Sequence, residues 1–344
     1  MKKVIVAPLN WGLGHASRCV PIIKHLIENN FIPIIASDGE ALKFLSKEFP
    51  DLETINLPSY NISYGKNVKW NLFKKTLTIK KAVRQERKVL EKYLIDTIEV
   101  VGIISDNRFG IFSKKIPSVY ITHQINVLSG LLTPITSFFH QRIIKNFNEC
   151  WIPDELNSKF SGKLSLSNRR LNQKYIGILS RLNKIEIEKT IDILIVLSGP
   201  EPNRSSLEYK LQQLFEKTEK NVWLVRGVIE KEKVLEEKGN LKIFNFMLSK
   251  ELEKTMNSAK LIICRSGYSS IMDLVALNKQ ALLIPTENQS EQEYLAKHLH
   301  NQGYFNFLDE KNLNESIENL SGSHFEIEYK KRDFSADLFN LFLK

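Results

Sequence analysis

The sequence has few cysteines and no long hydrophobic run. Its three cysteines, Cys19, Cys150 and Cys264, show neither the spacing of a disulfide framework nor that of a metal site. No apolar stretch reaches the roughly 18 residues that a membrane-spanning helix needs. The apolar N-terminal stretch is interrupted early by asparagine and glycine, which is atypical of a signal peptide. We therefore expect a cytoplasmic protein without a structural metal or disulfides.

Several motifs that point to particular functions are also missing. The chain has no recognisable nucleic-acid-binding module, no low-complexity tract and no short repeat, so we expect no nucleic-acid partner. It also lacks an Asp-x-Asp pair, a carboxylate motif suited to a divalent cation. What remains is ordinary for a globular enzyme: 344 residues, 42% hydrophobic and 26% charged, enough for two cores.

Positive charge is concentrated in the first half of the chain. The net charge is +10, and residues 1–180 carry 26 Lys or Arg against 14 Asp or Glu. Much of the excess falls in Lys66–Lys92. Such a stretch suits an anionic membrane surface or a phosphorylated acceptor, and it is equally typical of a solvated helix face.

Short apolar runs alternate with longer amphipathic stretches along the whole chain, a pattern typical of βαβ units around a parallel sheet. The charged stretch 183–189 interrupts this alternation midway. We therefore predict an α/β protein with two doubly wound, Rossmann-like domains and a cleft between them. The predicted boundaries are residues 1–180, residues 190–325, and a C-terminal helix over 326–344 that packs back on the first domain.

The first glycine-rich turn follows the strand Val4–Ala7 and opens a helix. Gly12 and Gly14 allow a ligand to approach the backbone, and a helix N-terminus favours an anion. The third glycine and the acidic residue of a dinucleotide fingerprint are missing, which argues against nicotinamide binding. His15 follows the turn directly, where open α/β sheets bind ligands. It is either a functional histidine or a structural cap of the turn.

Asp106 ends the apolar strand 100–105 and is suited to orienting His15 as a general base. The alternative is that it caps the turn Asp106–Gly110. His123, in Thr122-His123-Gln124, follows the next strand and lies where an acceptor would bind.

A second set of polar turns lies in the second half of the chain. Ser198-Gly199 follows the strand 192–197, and Arg265-Ser266-Gly267 follows the strand 261–264 and opens a helix. A polar loop containing Glu291-Gln292 follows the strand 281–284. These turns present backbone N–H groups, hydroxyls and amides, which suit a diphosphate and a sugar.

The two glycine turns resemble those of MurG-like glycosyltransferases. Gly12-Leu13-Gly14-His15 is similar to the N-terminal turn of that family. The series Arg265-Ser266-Gly267, Asp273, Ala276-Leu277, Pro285 and Glu291-Gln292 resembles its family 28 C-terminal donor-binding signature. The resemblance implies the GT-B fold, with a nucleotide-sugar held mainly by the second domain. In residues 52–172, only the strand pattern matches that of the family.

The resemblance also implies roles for individual residues. The diphosphate would contact the turn and the start of the following helix, Asp273 would hold the ribose in place of the family's glutamate, and Glu291 and Gln292 would bind the sugar. The base-binding segment would be Phe246-Met247. The nucleotide-sugar site implied in this way consists of Gly12, Gly14, Ser198, Gly199, Phe246, Met247, Arg265, Ser266, Gly267, Tyr268, Ser269, Ser270, Asp273, Glu291 and Gln292.

The expected reaction is transfer of a hexosyl or N-acetylhexosaminyl group from a UDP-sugar to an acceptor hydroxyl, with inversion, without a metal and without a cofactor. UDP-GlcNAc is the family's usual donor, and the acceptor is a glycan or lipid-linked group of the cell envelope. His15 and Asp106 resemble the catalytic pair of related small-molecule glycosyltransferases. A UDP-sugar hydrolase, a UDP-sugar epimerase and a non-catalytic nucleotide-sugar-binding subunit remain alternatives.

Peripheral association with the inner face of the membrane is a further expectation. Residues 127–135 and Phe138-Phe139 are unusually apolar, and with Lys66–Lys92 they would form a lipid-facing patch. The alternative is that they belong to the buried core.

Overall fold

The structure of the chain is a computed structural model. It describes residues 2–60, 68–313, 329, 334 and 336–343, and for residues 68–77 and 336 the backbone only. The chain divides into two compact units. Unit 1 comprises Met1–Leu179 together with Arg332–Lys344, and unit 2 comprises Ser180–Lys331.

Unit 1 is built on a seven-stranded parallel sheet. Its central strands are largely apolar because helices cover both faces of such a sheet. In chain order, its elements are β1 (Lys3–Pro8), α1 (Gly14–Glu28), β2 (Ile32–Ser37), α2 (Gly39–Glu48), β3 (Thr54–Asn56), α3 (Val68–Asp96), β4 (Val100–Asp106), β5 (Ser118–Ile121), α4 (Thr133–Ile144), β6 (Glu149–Ile152) and β7 (Gln173–Tyr175). The strand order is β3-β2-β1-β4-β5-β6-β7. The order in which the chain adds strands therefore reverses between β1 and β4.

Unit 2 repeats this plan with a seven-stranded sheet of order β10-β11-β9-β8-β12-β13-β14, in which only β10 pairs in an antiparallel sense. Its elements are β8 (Ile191–Val196), α5 (Asn203–Phe215), β9 (Val222–Val225), β10 (Leu235–Lys238), β11 (Leu241–Phe244), α6 (Ser249–Ser258), β12 (Ala259–Cys264), α7 (Tyr268–Leu277), β13 (Ala281–Leu283), α8 (Ser290–Asn301) and β14 (Asn306–Phe307). The reversal lies between β8 and β12. Both units are therefore doubly wound and Rossmann-like, as the sequence predicted.

Three strands do not appear in the sequence prediction. They are β7, β10 and β14, and each lies at an edge of its sheet. β10 reads Leu-Glu-Glu-Lys and is largely exposed, so it lacks the apolar pattern on which strand prediction depends. β10 is a strand because it pairs with β11, not because of its own sequence pattern.

The C-terminal segment belongs to unit 1, where residues Ala336–Phe342 form a 3-10 helix. Phe339 and Phe342 are almost fully buried, and their rings pack near Phe31 and Trp151. A Cβ at Gly102 in β4 would overlap the Phe342 ring, so this strand position accepts only glycine while the ring is in place. The segment thus closes the core over α1 and the middle of the sheet.

The basic stretch Lys66–Lys92 corresponds largely to α3. Residue 66 lies outside the described part of the chain, and the side chains of residues 69, 74 and 75 are likewise not described. Further along, Ala82, Glu86 and Leu90 are buried on one face, and the basic side chains lie on the opposite, exposed face: Lys80, Lys81, Arg84, Arg87, Lys88 and Lys92. This half of α3 is an amphipathic helix with a solvated basic face.

Candidate active site

The first site lies at the carboxyl edge of the unit 1 sheet, where β1, β4 and β5 end side by side. Pro8 at the end of β1 pairs with Asp106 at the end of β4, and Asp106 pairs with Ile121 at the end of β5. This is the point at which the strand order reverses, the usual ligand-binding position of an open parallel sheet.

The glycine turn places His15 at this edge. Gly12 has a φ of 68°, a left-handed conformation that favours glycine, and α1 begins at Gly14. His15 Nδ1 lies 2.8 Å from Asp106 Oδ1. Asp106 is fully buried, whereas 11% of the His15 side chain remains exposed. The structure therefore brings together the two residues that the sequence analysis proposed as a catalytic pair.

Arg18 is a member of this cluster that the sequence analysis missed. It lies one turn after His15 on α1, and its Nε donates to Asp106 Oδ2 at 2.5 Å while Nη2 donates to Asp106 Oδ1. Its Nη1 lies 3.0 Å from Nδ1 of His123, which is also buried. The i, i+3 spacing of His15 and Arg18 was the available signal, because residues so spaced share a helix face.

The tautomer of His15 follows from these contacts. An ionised carboxylate only accepts hydrogen bonds, so Nδ1 carries the proton and donates a hydrogen bond to Asp106. The lone pair of the ring is then on Nε2. Burial lowers the pKa of His15 and Arg18 acts in the same direction, against the opposing effect of Asp106. Burial would raise the pKa of Asp106, but the interactions of the carboxylate with Arg18 and His15 outweigh it and hold the pKa at about 2. The pair is thus a neutral imidazole backed by a carboxylate, which is the resting state of a general base.

A second buried charge network supports the same edge of the sheet. Arg108 donates to Asp38 and to Glu86 Oε1, the latter at 2.7 Å, and Tyr60 donates to Glu86 Oε2 at 2.7 Å. Asn10 joins it by donating to Asp38 at 3.1 Å. The network ties the loop before the glycine turn to α2 and α3. No pattern in the sequence predicted this network, because its members are widely spaced along the chain.

The second site lies at the carboxyl edge of the unit 2 sheet, at the turns after β8 and β12. These strands are neighbours, with Val196 paired to Cys264. A Cβ added at Gly199 or at Gly267 would meet no atom within 4 Å, so the space in front of both turns is open. α7 begins immediately after Gly267 without a side-chain cap. Its first N–H groups and its dipole therefore point at this space, an arrangement suited to an anion.

The sugar-binding candidates adjoin this turn. Ser266 Oγ donates to the Gln292 carbonyl at 2.9 Å, and the Gln292 side-chain oxygen accepts from Thr286 N at 2.9 Å. Glu291 is half-buried at the start of α8. Ser266 and the Glu291-Gln292 segment therefore lie close together.

Other predicted donor-site residues are placed differently. Phe246 and Met247 follow β11 and are buried, as is Tyr268. Asp273 accepts a hydrogen bond of 2.6 Å from Ser180 Oγ. Ser198, Ser269 and Ser270 are half-buried at the turns.

Arg265 has an observed role that the sequence analysis did not anticipate. Its guanidinium is buried, forms an ion pair of 2.8 Å with Glu310, and donates to the carbonyls of Pro285 and Asn203. These contacts pin the loops around the turn. The observed role of Arg265 is thus to hold the turn in shape. No sequence pattern pointed to Glu310 as its partner.

Comparison with known proteins places these features in a class. Residues 196–331 match the glycosyltransferase family 28 C-terminal domain. The chain is 25% identical over 319 residues to the UDP-N-acetylglucosamine--N-acetylmuramyl-(pentapeptide) pyrophosphoryl-undecaprenol N-acetylglucosamine transferase of Clostridium botulinum, covering 87% of this chain and 83% of that protein. The protein of the same name from Clostridium perfringens is 25% identical over 333 residues, covering 92% and 88%.

Solved structures show the same fold. The Acinetobacter baumannii MurG structure aligns with a TM-score of 0.54 at 12% identity, covering 91% of this chain and 87% of that one. The calicheamicin glycosyltransferase CalG4 aligns with a TM-score of 0.61 at 11% identity, covering 91% and 87%. The protein is thus a glycosyltransferase of the GT-B fold. More narrowly, it is similar over most of its length to MurG-like glycosyltransferases, and residues 196–331 match the family 28 C-terminal domain.

Two features are absent from the described part of the chain. No cluster of three or more His, Cys, Asp or Glu side chains there has the arrangement of a metal site. Within the same residues, no helix combines the length and apolarity needed to cross a bilayer.

Proposed function

We propose that this glycosyltransferase moves an N-acetylglucosaminyl group from UDP-GlcNAc to a hydroxyl of a lipid-linked acceptor, with inversion at the anomeric carbon. The observation that carries the proposal is the contact between His15 and Asp106 at the ligand-binding edge of unit 1. The donor and acceptor classes are supported by the names of the relatives that align with most of the chain.

In the proposed step, the acceptor oxygen attacks the anomeric carbon from the face opposite the leaving group. The carbon–oxygen bond to the β-phosphate breaks, and its electron pair leaves with UDP. The proton of the acceptor hydroxyl passes to His15 Nε2, whose lone pair is available because Nδ1–H donates to Asp106. Asp106 stabilises the imidazolium until the proton passes to solvent.

We further propose that the departing diphosphate is stabilised by unit 2 without a metal ion. Charge develops on the β-phosphate as the bond breaks, and the N-terminus of α7 with the open Gly267 turn supplies preorganised N–H dipoles. Dipoles aimed at developing charge contribute about 3–4 kcal/mol in other enzymes. Asp273 holds the ribose hydroxyls, and Glu291 and Gln292 hold the sugar.

The direct test is a transfer assay with purified protein. UDP release from UDP-GlcNAc is measured with and without a lipid-linked saccharide, and the anomeric configuration of the product is determined by NMR. The proposal expects acceptor-dependent release and a β-linked product from the α-linked donor, unchanged by EDTA. Release of free sugar without acceptor would instead show a hydrolase, and loss of activity in EDTA would contradict the metal-free mechanism.

Replacing Asp273 by alanine should weaken UDP-GlcNAc binding by about 10- to 100-fold, the loss typical of a charged hydrogen bond. Isothermal titration calorimetry measures the effect. Ser180→Ala removes the hydrogen bond to Asp273 and should leave affinity nearly unchanged. Asp192→Ala, at the opposite end of the sheet in β8, serves as the matched carboxylate control. Unaltered affinity in Asp273→Ala would exclude it as the ribose ligand.

We also propose that unit 1 docks on the inner face of the membrane through an apolar patch on α4 and the preceding 3-10 turn. Its five members are exposed, from 49% for Leu132 to 100% for Leu131, which excludes the buried-core alternative for them. They are Leu131, Leu132, Ile135, Phe138 and Phe139. Arg142 lies over the Phe138 ring at 5.5 Å and adds positive charge at the rim. An exposed apolar helix face bordered by cations suits an anionic lipid surface.

Replacing Phe138 and Phe139 together by serine should lower binding to anionic vesicles by at least about tenfold, because each ring loses its transfer free energy into the interface. Vesicle flotation measures this. The matched control is Ile95→Ser with Ile98→Ser, two apolar residues that are more exposed than Phe138 and Phe139 but lie outside the patch. Equal flotation of both double variants would contradict docking through the patch.

A further inference from the structure

Arg18 contacts side chains from three elements within a buried site. Its own side chain is 1% exposed. From α1 its guanidinium reaches Asp106 at the end of β4, His123 after β5, and the vicinity of His15 Nδ1, which lies 3.0 Å from Nη2. The sequence separations are 88 residues to Asp106 and 105 to His123. Neutralising Asp106 alone would not require the further contact with His123.

The chemistry of these groups fixes where the protons lie. A guanidinium only donates, so Nδ1 of His123 accepts from Arg18 and a neutral His123 carries its proton on Nε2. His15 is the reverse, because its Nδ1 faces Asp106 and donates. The short separation of His15 Nδ1 and Arg18 Nη2 follows from this assignment, since both donate to the same Asp106 oxygen.

We propose that Arg18 is a positioning residue for sugar transfer: it holds His123 in the tautomer opposite to the one that Asp106 imposes on His15, so that only His15 presents a basic Nε2. The role in sugar transfer rests on the proposed function, whereas the tautomers rest on the contacts of Arg18 and Asp106. Burial lowers the pKa of His15, Arg18 and to a smaller extent His123 act in the same direction, and Asp106 opposes them. Cys19 Sγ, 3.7 Å from Asp106, is the remaining titratable group in contact with the carboxylate, and burial keeps the pKa of its thiol high.

Two variants separate the charge of Arg18 from its forked geometry. Arg18→Lys keeps the charge but offers a single ammonium that cannot reproduce the planar fork to Asp106 and His123. Arg18→Met removes both the charge and the fork. If this variant folds poorly because Asp106 is left buried and unpaired, the double variant Arg18→Met with Asp106→Asn replaces it.

The first readout is the ¹⁵N signal of each imidazole in the resting protein labelled at histidine. Signals are assigned by their loss in His15→Gln and His123→Gln. The wild type should show Nδ1–H at His15 and Nε2–H at His123. In Arg18→Lys, His123 should move toward an average of both tautomers while His15 stays fixed by Asp106. Unchanged His123 signals in every folded Arg18 variant would overturn the proposal.

The second readout is the pH profile of kcat/KM for transfer. Protonated His15 cannot accept a proton, so activity falls on the acid side, and removing a nearby positive charge favours protonation. The acid limb should therefore move to higher pH in Arg18→Met and stay in place in Arg18→Lys. Both variants should lose about 10- to 100-fold in kcat, part of the contribution of a positioned base. A uniform loss without movement of the limb in Arg18→Met would reduce Arg18 to a structural role.

The two readouts distinguish failure of this inference from failure of the proposed function. The ¹⁵N measurement needs no substrate. If His15→Ala keeps full turnover while the tautomers behave as expected, the base assignment is wrong and the positioning by Arg18 stands.

Discussion

Replacing His15 by alanine is expected to lower kcat for sugar transfer by about 10²–10⁴-fold, the usual contribution of a positioned general base. The affinity for UDP should stay within about twofold, because the proposed nucleotide site belongs to unit 2 and the lost interaction forms only in the transition state. Single-turnover kinetics measures the chemical step, and calorimetry with UDP measures binding.

The pH dependence provides a second signature of His15. Its pKa is lowered from the ordinary value of 6.5 by burial, so the acid limb of kcat/KM should lie below pH 6.5. Transfer requires the neutral ring, so activity is full above that limb and declines as the pH falls through it. The limb should vanish from the residual activity of His15→Ala. His300→Ala, on the exposed face of α8, is the matched histidine control. Wild-type turnover in His15→Ala would remove this residue from the mechanism.

Replacing Phe342 by alanine is expected to destabilise unit 1 by about 3–5 kcal/mol, the range for truncating a buried aromatic ring. The ring is 1% exposed and covers Gly102, whose missing side chain leaves the space that the ring fills. The rings of Phe31, Trp151 and Phe339 lose a neighbour at the same time. Chemical denaturation followed by tryptophan fluorescence reports this change, because Trp151 lies in the affected core.

The neighbouring residue provides the control for this prediction. The Leu343 side chain is 54% exposed, so Leu343→Ala should change stability by no more than about 0.5 kcal/mol. UDP binding by unit 2 should be the same in both variants. Equal stability of Phe342→Ala and Leu343→Ala would show that the C-terminal segment does not contribute to the core of unit 1.

The pattern of the sequence predicted two doubly wound units because each central strand is a short apolar run and each helix an amphipathic one. It also predicted the turns at which those strands end. The edge strands β7, β10 and β14 escaped prediction, and β10 shows why: its polar residues become a strand only by pairing with β11. The C-terminal segment carried a helical pattern, and its 3-10 form and its burial against Gly102 depend on the surface it meets.

For the candidate sites, the same division holds. Local sequence determined that His15 follows a glycine turn and that Asp106 ends a strand, since strand ends and helix starts are set by neighbouring residues. Only the tertiary structure decided that Arg18 joins them to His123, and that Arg265 is held by Glu310. A guanidinium buried far along the chain from its carboxylate leaves no periodic signal. Its partner is selected by strand order, which brings together residues that the sequence keeps apart.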